Sequence, residues 1–567
     1  MASSLKEALK NAFADKGISL PEAKKVDGTR SKSNHSANLK NKKIHPRVNQ
    51  KPYIVPIEEK IASPDKGIPG LDVYSRATKK SALLNKPPKE MAIEFSSESP
   101  VCTISNLPDE FVYKYPKFDG SKTQVCDGKT IGDRELVIGL DFGTSSAKIV
   151  IGDRDIEKTF AVGFSDVLGV KKYLLPSRLY KHGSKYSLSE GETIFRDLKL
   201  GLLANENDID AQNKVIAFLA LLIRHARAWF FENHGLIYKN SKILWKLAIG
   251  LPSANHLNGV HKDLFNKLSA CGWQLSLLKV ENITDVEINN VRGIPTADFS
   301  ADSDFAEISI VPEIAAQIFG FVSSNSFDKN AKNIFLIVDI GAGTVDSSLF
   351  HVEPAKAGKW SFKFYKTDVA QNGVMNLHRM RVDWWTNLMA KYIDKFNFGF
   401  DSIRNSKFHT DKLTAVPESY LDYISGITVS NTNEPDYNFF MKEVVAQVKG
   451  HTMWRAWHEG YLTQEALYGT PMFLCGGGAR MNYYKALETE MRHPSNCSWL
   501  LANPRPLIKP SNLIAPSLLE DDFDRLSVAY GLSFLEVNAV LQAIPAPLIS
   551  ARNNSNYEDD FISKDQM

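Results

Sequence analysis

Two stretches of the chain share one pattern, and this pattern constrains the fold more than any other feature. Each stretch passes from an apolar strand through an aspartate into a turn of small residues and then into a second apolar strand. The first is LVIGLDFGTSSAKIVIGD, Leu136 to Asp153, and the second is NIFLIVDIGAGTVDSSLF, Asn333 to Phe350. Their leading aspartates, Asp141 and Asp339, lie 198 positions apart. The repetition predicts a duplicated domain.

Each turn has the composition of an anion-binding loop. Small residues let the backbone bend tightly and bring N–H groups close to an anion, and a threonine hydroxyl adds a donor. Two such turns that face each other would clamp a polyphosphate, with Asp141 and Asp339 holding a hydrated Mg²⁺ between them. The predicted nucleotide contacts are Gly143, Thr144, Ser145 and Ser146 in the first turn, and Gly341, Ala342, Gly343 and Thr344 in the second.

A third glycine-rich turn follows another apolar strand, in PMFLCGGGARMNYYKAL. Its glycines, Gly476, Gly477 and Gly478, permit a flat ligand to lie against the backbone, and Arg480 is placed to stack on that ligand. The alternative is a simple connection between a strand and a helix. Two segments rich in small residues, VPEIAAQIFGFV and LSVAYGLSFL, predict helices that cross closely at a hinge.

The order of these motifs resembles the ATPase superfamily of actin, heat-shock chaperones and sugar kinases. The resemblance extends from the strand before Asp141 to the helix of Gly531. Within the superfamily, the segments LLPSRLY, ETIFRDLKLGLL and LAIGLPSA are most similar to the nucleotide-binding domain of the seventy-kilodalton heat-shock chaperones. The resemblance implies an α/β fold of two lobes, built from duplicated ribonuclease-H-like domains around a nucleotide cleft.

The resemblance also implies ATP or ADP and Mg²⁺ as ligands, and a role for each motif residue. Asp141, Asp339 and Asp346 would organise magnesium and the attacking water, while Thr144 and Thr344 contact phosphate. Gly476, Gly477 and Arg480 would hold the adenosine. The implied catalytic residues are Lys199, which would reach the γ-phosphate, together with Glu313, Asp339 and Asp346, and the implied magnesium ligands are Asp141 and Asp339.

The resemblance and a change in composition divide the chain into five parts. We expect an N-terminal extension over 1–130, a first lobe over 131–335, a second lobe over 336–516, a helix returning to the lobe interface over 517–545, and a tail over 546–567. The extension combines a short helix with an apolar stripe at Leu5, Leu9 and Phe13, a basic linker, and a proline-punctuated arm. The aromatic side chains of this arm need cover from the main body or from a partner.

The basic linker, Lys24 to Lys51, contains nine Lys or Arg residues against one acid. Such a run contacts nucleic acid or an acidic protein in some proteins, but in most it is a solvated linker, which is the interpretation we favour.

The composition is typical of a soluble globular protein: 567 residues, 43% hydrophobic, with a formal net charge of +3. The five cysteines are scattered without a CxxC pair, which fits a reducing compartment. No apolar run approaches the length of a bilayer span. The sequence therefore predicts a cytoplasmic protein with no membrane partner.

The leading functional hypothesis is a Mg²⁺-dependent ATPase that acts as a chaperone-like switch. A β-rich substrate domain is absent from residues 532–567, so the sequence does not predict a peptide-clamping cycle. The switch would reach a protein partner through the N-terminal arm or the lobe surfaces. The alternatives are an actin-like filament former, a small-molecule kinase, for which no sugar-binding signature is present, and a nucleotide sensor without turnover. Two departures from the chaperone pattern, Ala342 and Asn372, leave nucleotide affinity open.

Overall fold

A computed structural model describes most of the chain beyond residue 110 and two short strands before it. The described residues are 92–95, 101–102, 111–122, 132–252, 259–295, 304–322, 327–328, 331–355, 360–391, 400–407, 416–430, 435–493, 497–534 and 540–543. All of them fall in one of the two units into which the chain divides, Pro64–Met567. The predicted N-terminal helix, the basic linker and the tail over 546–567 lie outside the described residues.

The described strands are numbered in chain order. They are β1 Ala92–Phe95, β2 Val101–Cys102, β3 Gly132–Phe142, β4 Ser146–Asp153, β5 Lys158–Ala161, β6 Leu175–Pro176, β7 Leu179–His182, β8 Lys185–Ser187, β9 Thr193–Phe195, β10 Ser241–Leu251, β11 Ile283–Thr284, β12 Glu307–Pro312, β13 Ile334–Ile340, β14 Val345–Pro354, β15 Trp360–Ala370, β16 Ile424–Ser425, β17 Ile427–Ser430, β18 Thr470–Cys475, β19 Ala502–Arg505, β20 Leu513–Ile514 and β21 Val540–Ala543.

The described α-helices are numbered in the same way. They are α1 Leu198–Ala204, α2 Ile209–Tyr238, α3 Gly259–Leu277, α4 Asp285–Arg292, α5 Glu313–Val322, α6 Val374–Lys391, α7 Phe400–Ser406, α8 Pro435–Phe439, α9 Arg455–His458, α10 Gln464–Leu467, α11 Asn482–Arg492 and α12 Ser527–Phe534. A π-helix spans Phe440–Trp454, and 3₁₀ turns span Gly169–Tyr173, Tyr420–Tyr423, Gly477–Arg480 and Glu520–Arg525. None of the described helices has both the length and the apolar character needed to cross a bilayer.

The two large sheets share one strand order. The first is β12-β10-β3-β4-β5-β20, with β6 beside β4, and the second is β19-β18-β13-β14-β15-β21. Along each order, successive pairs are parallel, parallel, antiparallel, antiparallel and parallel. The α/β class is therefore confirmed, and the predicted duplication is present in the sheets. The two repeated motifs form the equivalent hairpins, β3–β4 and β13–β14.

Helices cover the outer face of each sheet. The long helix α2 begins at a cap in which the Asp208 carboxylate accepts hydrogen bonds from the amides of Asp210 and Ala211. Together with α3 it buries one face of the first sheet, in a cluster that includes Phe218, Leu222 and Trp273. On the second sheet, the π-helix and α11 bury side chains of β13 and β14 in the same way.

Helices α5 and α12 lie between the two sheets. One hydrophobic cluster joins Val137 and Ala248 of the first sheet, Ile314 of α5, Leu532 of α12 and Ile337 of the second sheet. The two helices cross so closely that a Cβ atom on Gly531 would lie 1.8 Å from the carbonyl oxygen of Ala316. The close crossing predicted from the small residues is confirmed.

The sheets do not follow the domain border predicted at residue 516. Strand β20, Leu513–Ile514, pairs with β5 and so completes the first sheet, although it was predicted to belong to the second lobe. Strand β21 then pairs with β15 of the second sheet. The chain therefore returns to the first sheet just before α12 and to the second sheet just after it, a crossover that composition alone does not reveal.

The N-terminal arm is bound to both halves at its described residues. Strands β1 and β2 pair with β17 and β16, which follow the second motif in the chain. Residues 111–122 pack instead along α2, where the amide of Lys117 donates to the Glu232 carboxylate at 2.9 Å. The amide of Lys114 donates to the carbonyl of Phe164, beyond β5, at 2.8 Å. A Cβ atom on Gly120 would lie 2.1 Å from the carbonyl oxygen of Arg224. The aromatic residues of this segment, Phe111, Tyr113 and Phe118, pack on the first core, so the main body supplies cover of the predicted kind.

We expect the Gly531→Ala variant to lower the melting temperature by several degrees, because its methyl group would force α5 and α12 apart at the crossing. Gly201→Ala is the matched control, since Gly201 is also helical and has no atom within 4 Å of its Cβ position. The control should be neutral or slightly stabilising because alanine favours helix. Thermal unfolding of both variants tests this, and equal melting temperatures would contradict the close crossing.

Candidate functional site

The two motif turns lie against each other. A Cβ atom on Gly343 in the second turn would be 3.4 Å from the Cγ2 atom of Thr144 in the first. The same position would be 2.9 Å from the Cδ1 atom of Leu200, which α1 inserts beside the two turns. Gly343 is therefore required by space, and the predicted opposition of the turns is present in the structure.

Carbonyl groups of both turns are held by neighbouring segments. In the first turn, the Ser177 hydroxyl donates to the Gly143 carbonyl at 2.6 Å, and the Ser177 amide donates to the Ser145 carbonyl at 3.0 Å. In the second turn, the carbonyls accept hydrogen bonds from the start of α6. The amides of Val374 and Met375 donate to the carbonyls of Gly341 and Ala342, respectively. The Asn376 side chain donates to the Gly343 carbonyl at 2.6 Å.

The amides of both turns are left without protein acceptors. Within the described part of the chain, no hydrogen bond is donated by the backbone N–H groups of Gly143, Thr144 and Ser145, nor by those of Ala342, Gly343 and Thr344. Three consecutive amides with no acceptor form the donor set of an anion-binding concavity. The structure places two such sets side by side.

The Asn372–Gly373 departure has a structural role. The Asn372 side chain donates to Gln447 at 3.0 Å, and its carbonyl accepts from the Tyr484 hydroxyl at 2.7 Å. A Cβ atom on Gly373 would lie 2.6 Å from the Ala342 carbonyl oxygen. Only glycine allows this approach of α6 to the second turn, whereas the preceding residue is free to serve as a buried hydrogen-bonding link.

The two hairpins carry different charges at equivalent positions. In the first, Asp141 is paired across the strands with Lys148, whose ammonium lies 2.9 Å from its carboxylate. In the second, Asp339 is paired with Asp346. Cross-strand partners project from the same face of a sheet, so Asp346 accompanies Asp339. The two hairpins therefore share their pairing geometry, but the cross-strand partner of the aspartate is a lysine in the first and an aspartate in the second.

Lys199 and Glu313 form a buried ion pair at 2.5 Å beside the turns. Their side chains are 4% and 16% exposed. Burial raises the pKa of Glu313, Asp141 raises it further, and the ammonium of Lys199 opposes both effects. The pair brings α1 and α5 together at the position where the resemblance implied the catalytic lysine and the glutamate.

Asp339 is the carboxylate of the cleft that lacks a cation. The amide group of Gln317 donates to it at 2.9 Å, and no Lys, Arg or His within the described residues forms an ion pair with it. Burial, together with the charges of Glu313 and Asp141, raises the pKa of Asp339 to about 6. Its negative charge is therefore held at a cost that a bound cation would relieve.

The third turn touches the same aspartate. Gly476 has a φ of +86°, and a Cβ atom there would lie 2.2 Å from the Oδ1 atom of Asp339. Arg480 at the end of this turn is held by two carboxylates, Asp522 at 2.5 Å and Asp524 at 2.6 Å. Its guanidinium is therefore occupied by these partners, rather than free to stack on a ligand as the sequence predicted.

The carboxylates of the cleft suit a hydrated divalent ion better than a metal enclosed by protein. Among the described residues, no three His, Cys, Asp or Glu side chains come together as a metal-binding group. Mg²⁺ usually takes one or two carboxylates and completes its octahedron with water and phosphate oxygens. Asp141 and Asp339 fit that donor set in chemistry, and they occupy equivalent positions in two hairpins whose turns meet.

The structure thus brings several of the predicted site residues together: the two motif turns meet, Gly476 lies against Asp339, and Lys199 pairs with Glu313. Sequence reasoning missed three further side chains: Lys148, Gln317 and Arg525. Gln317 had a signal, since it lies four residues after Glu313 and so shares its helix face. Lys148 had one as well, since it lies at the position of Asp346 in the repeat. Arg525, which packs against Gly477, had none.

Comparison with known proteins gives no relative. No protein-family model matches the chain, and no curated protein gives a significant match. The interpretation of the site therefore rests on its own geometry and chemistry.

We expect Asp339→Asn to raise the melting temperature at pH 7.5 in EDTA by a few degrees, equivalent to at most about 3 kcal/mol. The pKa of Asp339 is about 6 in the folded state and about 3.9 in the unfolded state. Ionisation of Asp339 therefore lowers the free energy of unfolding progressively as the pH rises from 4 to 6, and the full loss persists at higher pH. Asparagine removes this cost.

The stabilisation should shrink as the pH falls towards 4, because the wild-type carboxyl then becomes neutral as well. Asp166→Asn, at an exposed ion pair with Lys114, is the control and should change little. Thermal melts between pH 4 and 8 test the prediction, and a variant less stable than wild type at pH 7.5 would contradict it.

Proposed function

We propose that the chain is an ATP-binding, Mg²⁺-dependent ATPase with a two-lobed actin-like fold, which acts as a nucleotide-driven conformational switch for a protein partner. The equal strand order of the two sheets supports an origin in duplicated ribonuclease-H-like domains. The helices α5 and α12, which pack between the two sheets, would act as the hinge of such a switch. A partner would be met through the N-terminal arm or the surfaces of the lobes.

The observation that carries the proposal is the pair of opposed turns with their unused amides. Six N–H groups, three from each turn, have no acceptor within the described part of the chain. Lys148 lies beside the first turn, and Lys199 is next to Leu200, which contacts the second turn. An isolated anion needs only one such turn, whereas a polyphosphate has enough oxygens to use both. The donor set therefore favours a di- or triphosphate over a single small anion.

The side chains of the cleft suit in-line attack on a terminal phosphate. The ammonium of Lys199, held by Glu313 at 2.5 Å, supplies positive charge beside the phosphate oxygens. Asp339, oriented by Gln317, is a carboxylate available to orient the attacking water. Asp346 lies on the same face of the hairpin and adds a second carboxylate near this position. These residues position and orient the reactants rather than form covalent intermediates.

Mg²⁺ would be held by Asp141 and Asp339 through its water ligands. When bound, it supplies charge neutralisation to the phosphate oxygens. Lys148 already neutralises Asp141, so the uncompensated charge that favours the ion is chiefly that of Asp339.

A switch follows from where the donors originate. Because the amide donors come from both halves, a polyphosphate would bind more tightly when the halves are close together than when they are apart. A ligand shifts a conformational equilibrium by its difference in affinity for the two states. Loss of the terminal phosphate would remove part of that difference, and the surfaces presented to a partner would change accordingly.

We expect the purified protein to bind ATP in the presence of Mg²⁺, measured by isothermal titration calorimetry, and the Asp339→Ala variant to lose this binding. The reason is that Asp339 is the carboxylate whose charge is not balanced by protein. Asp166→Ala is the control, because it removes an exposed carboxylate of the first half. Equal ATP affinity in wild type and Asp339→Ala would count against the site.

We expect Lys199→Gln to lower the rate of ATP hydrolysis by about 10²- to 10³-fold, as removal of one preorganised charge typically does. Lys246→Gln is the matched control. Lys246 also pairs with carboxylates, those of Glu135 and Glu307, but it lies in β10, whereas Lys199 lies in α1. Single-turnover phosphate release measures both. If wild type binds ATP yet releases no phosphate, the protein is a nucleotide sensor rather than an ATPase.

A further inference from the structure

Two arginines lie beside the third glycine turn, and only one of them is neutralised. Arg480 is paired with Asp522 and Asp524 of the 3₁₀ turn Glu520–Arg525. Arg525 ends that same turn and has no carboxylate within 4 Å among the described residues. The two acidic side chains that could have paired with it are occupied by Arg480.

The guanidinium of Arg525 is almost without hydrogen bonds. Among the described residues it makes one hydrogen bond, which a terminal NH₂ group donates to the Ser146 hydroxyl at 3.5 Å. This distance is at the outer limit for a hydrogen bond. A guanidinium has five N–H donors in a planar fork. Its carbon lies 3.1 Å from where a Cβ atom on Gly477 would be, so the fork is packed against the third turn.

The location is electrostatically suited to an anion despite the nearby aspartates. Burial lowers the pKa of Arg525, and the charge of Arg480 lowers it further. Asp524, Asp141 and Asp339 oppose these effects from a distance, without forming an ion pair. A desolvated cation with unused donors is unfavourable until a charged acceptor arrives.

We propose that Arg525 is a phosphate-binding residue of the cleft, whose guanidinium donates to non-bridging oxygens of a nucleotide's phosphate chain between the first and third turns. This inference rests on the proposed nucleotide function and deepens it. Arg525 would supply the free positive charge at the phosphate end of the third turn. Arg480 does not supply it, because Arg480 is already paired with two carboxylates.

A phosphate chain fits this position better than a base or a metal ion. Two N–H groups of a guanidinium match two oxygens of one phosphate, and the contact with Ser146 places the fork at the first anion-binding turn. The guanidinium packs on Gly477, where a Cβ atom would lie 3.1 Å from its carbon, so the absence of a side chain there fixes the position of the fork. A cation would be repelled by Arg525, so Mg²⁺ belongs on the side of Asp339.

The test compares Arg525→Gln and Arg525→Lys with wild type, by calorimetry with ADP, adenosine and inorganic phosphate. For Arg525→Gln we expect ADP affinity to fall about tenfold or more, as loss of a hydrogen bond to a charged group predicts. Adenosine affinity should change by less than about twofold. Arg525→Lys should recover part of the loss, because it keeps the charge and loses the fork.

Arg134→Gln is the matched control. It removes one positive charge from a surface ion pair with Asp155 in the first half and should leave ADP affinity unchanged. Melting curves show whether each variant folds, and Arg525→Lys decides the question if Arg525→Gln does not fold, with an expected loss of about threefold or more in ADP affinity.

Four results would overturn the inference while wild type still binds ADP. These are unchanged ADP affinity in both Arg525 variants, tighter ADP binding, an equal loss for ADP and adenosine, or a loss confined to inorganic phosphate. Failure of wild type itself to bind ADP would instead overturn the proposed function, so the two failures are distinguishable.

Discussion

The cleft depends on one backbone contact, the crossing of α5 and α12 at Gly531 and the carbonyl of Ala316. Helix α5 carries Glu313 and Gln317, which meet Lys199 and Asp339. Helix α12 follows directly after Arg525. A larger residue at the crossing would shift polar groups on two elements at once. The side chains of the site are therefore positioned by packing between the sheets, at a distance from any ligand.

The duplicated hairpins show how a repeat becomes a site with two different halves. Equivalent positions hold Lys148 in the first hairpin and Asp346 in the second. The cross-strand pair of the first hairpin is therefore close to neutral, because Lys148 pairs with Asp141 at 2.9 Å. The second concentrates negative charge on one face. A cation placed between them would be drawn towards Asp339, and its phosphate partner towards the lysines and the free amides.

The α/β class, the opposition of the two motif turns and the close helix crossing were predictable from the sequence. These predictions rest on two patterns. An apolar run, an aspartate and small residues appear twice. Small residues at helical spacing predict the close crossing that the structure shows near Gly531. What could not be predicted depends on partners distant in the chain. Arg480 is held by Asp522 and Asp524, 42 and 44 positions away. No local sequence pattern predicts whether those carboxylates pair with Arg480 or with Arg525.

The described part of the arm connects the two halves from outside the cleft. Its strands β1 and β2 pair with β17 and β16, while residues 111–122 are bound along α2 through Lys117 and Gly120. Nine peptide links between Cys102 and Phe111 span at most about 30 Å, since an extended chain covers roughly 3.3–3.6 Å per residue. Any movement of one half relative to the other must stay within that length or detach one end of the arm. The arm, early in the sequence, and α12, late in the sequence, therefore both contact the two halves.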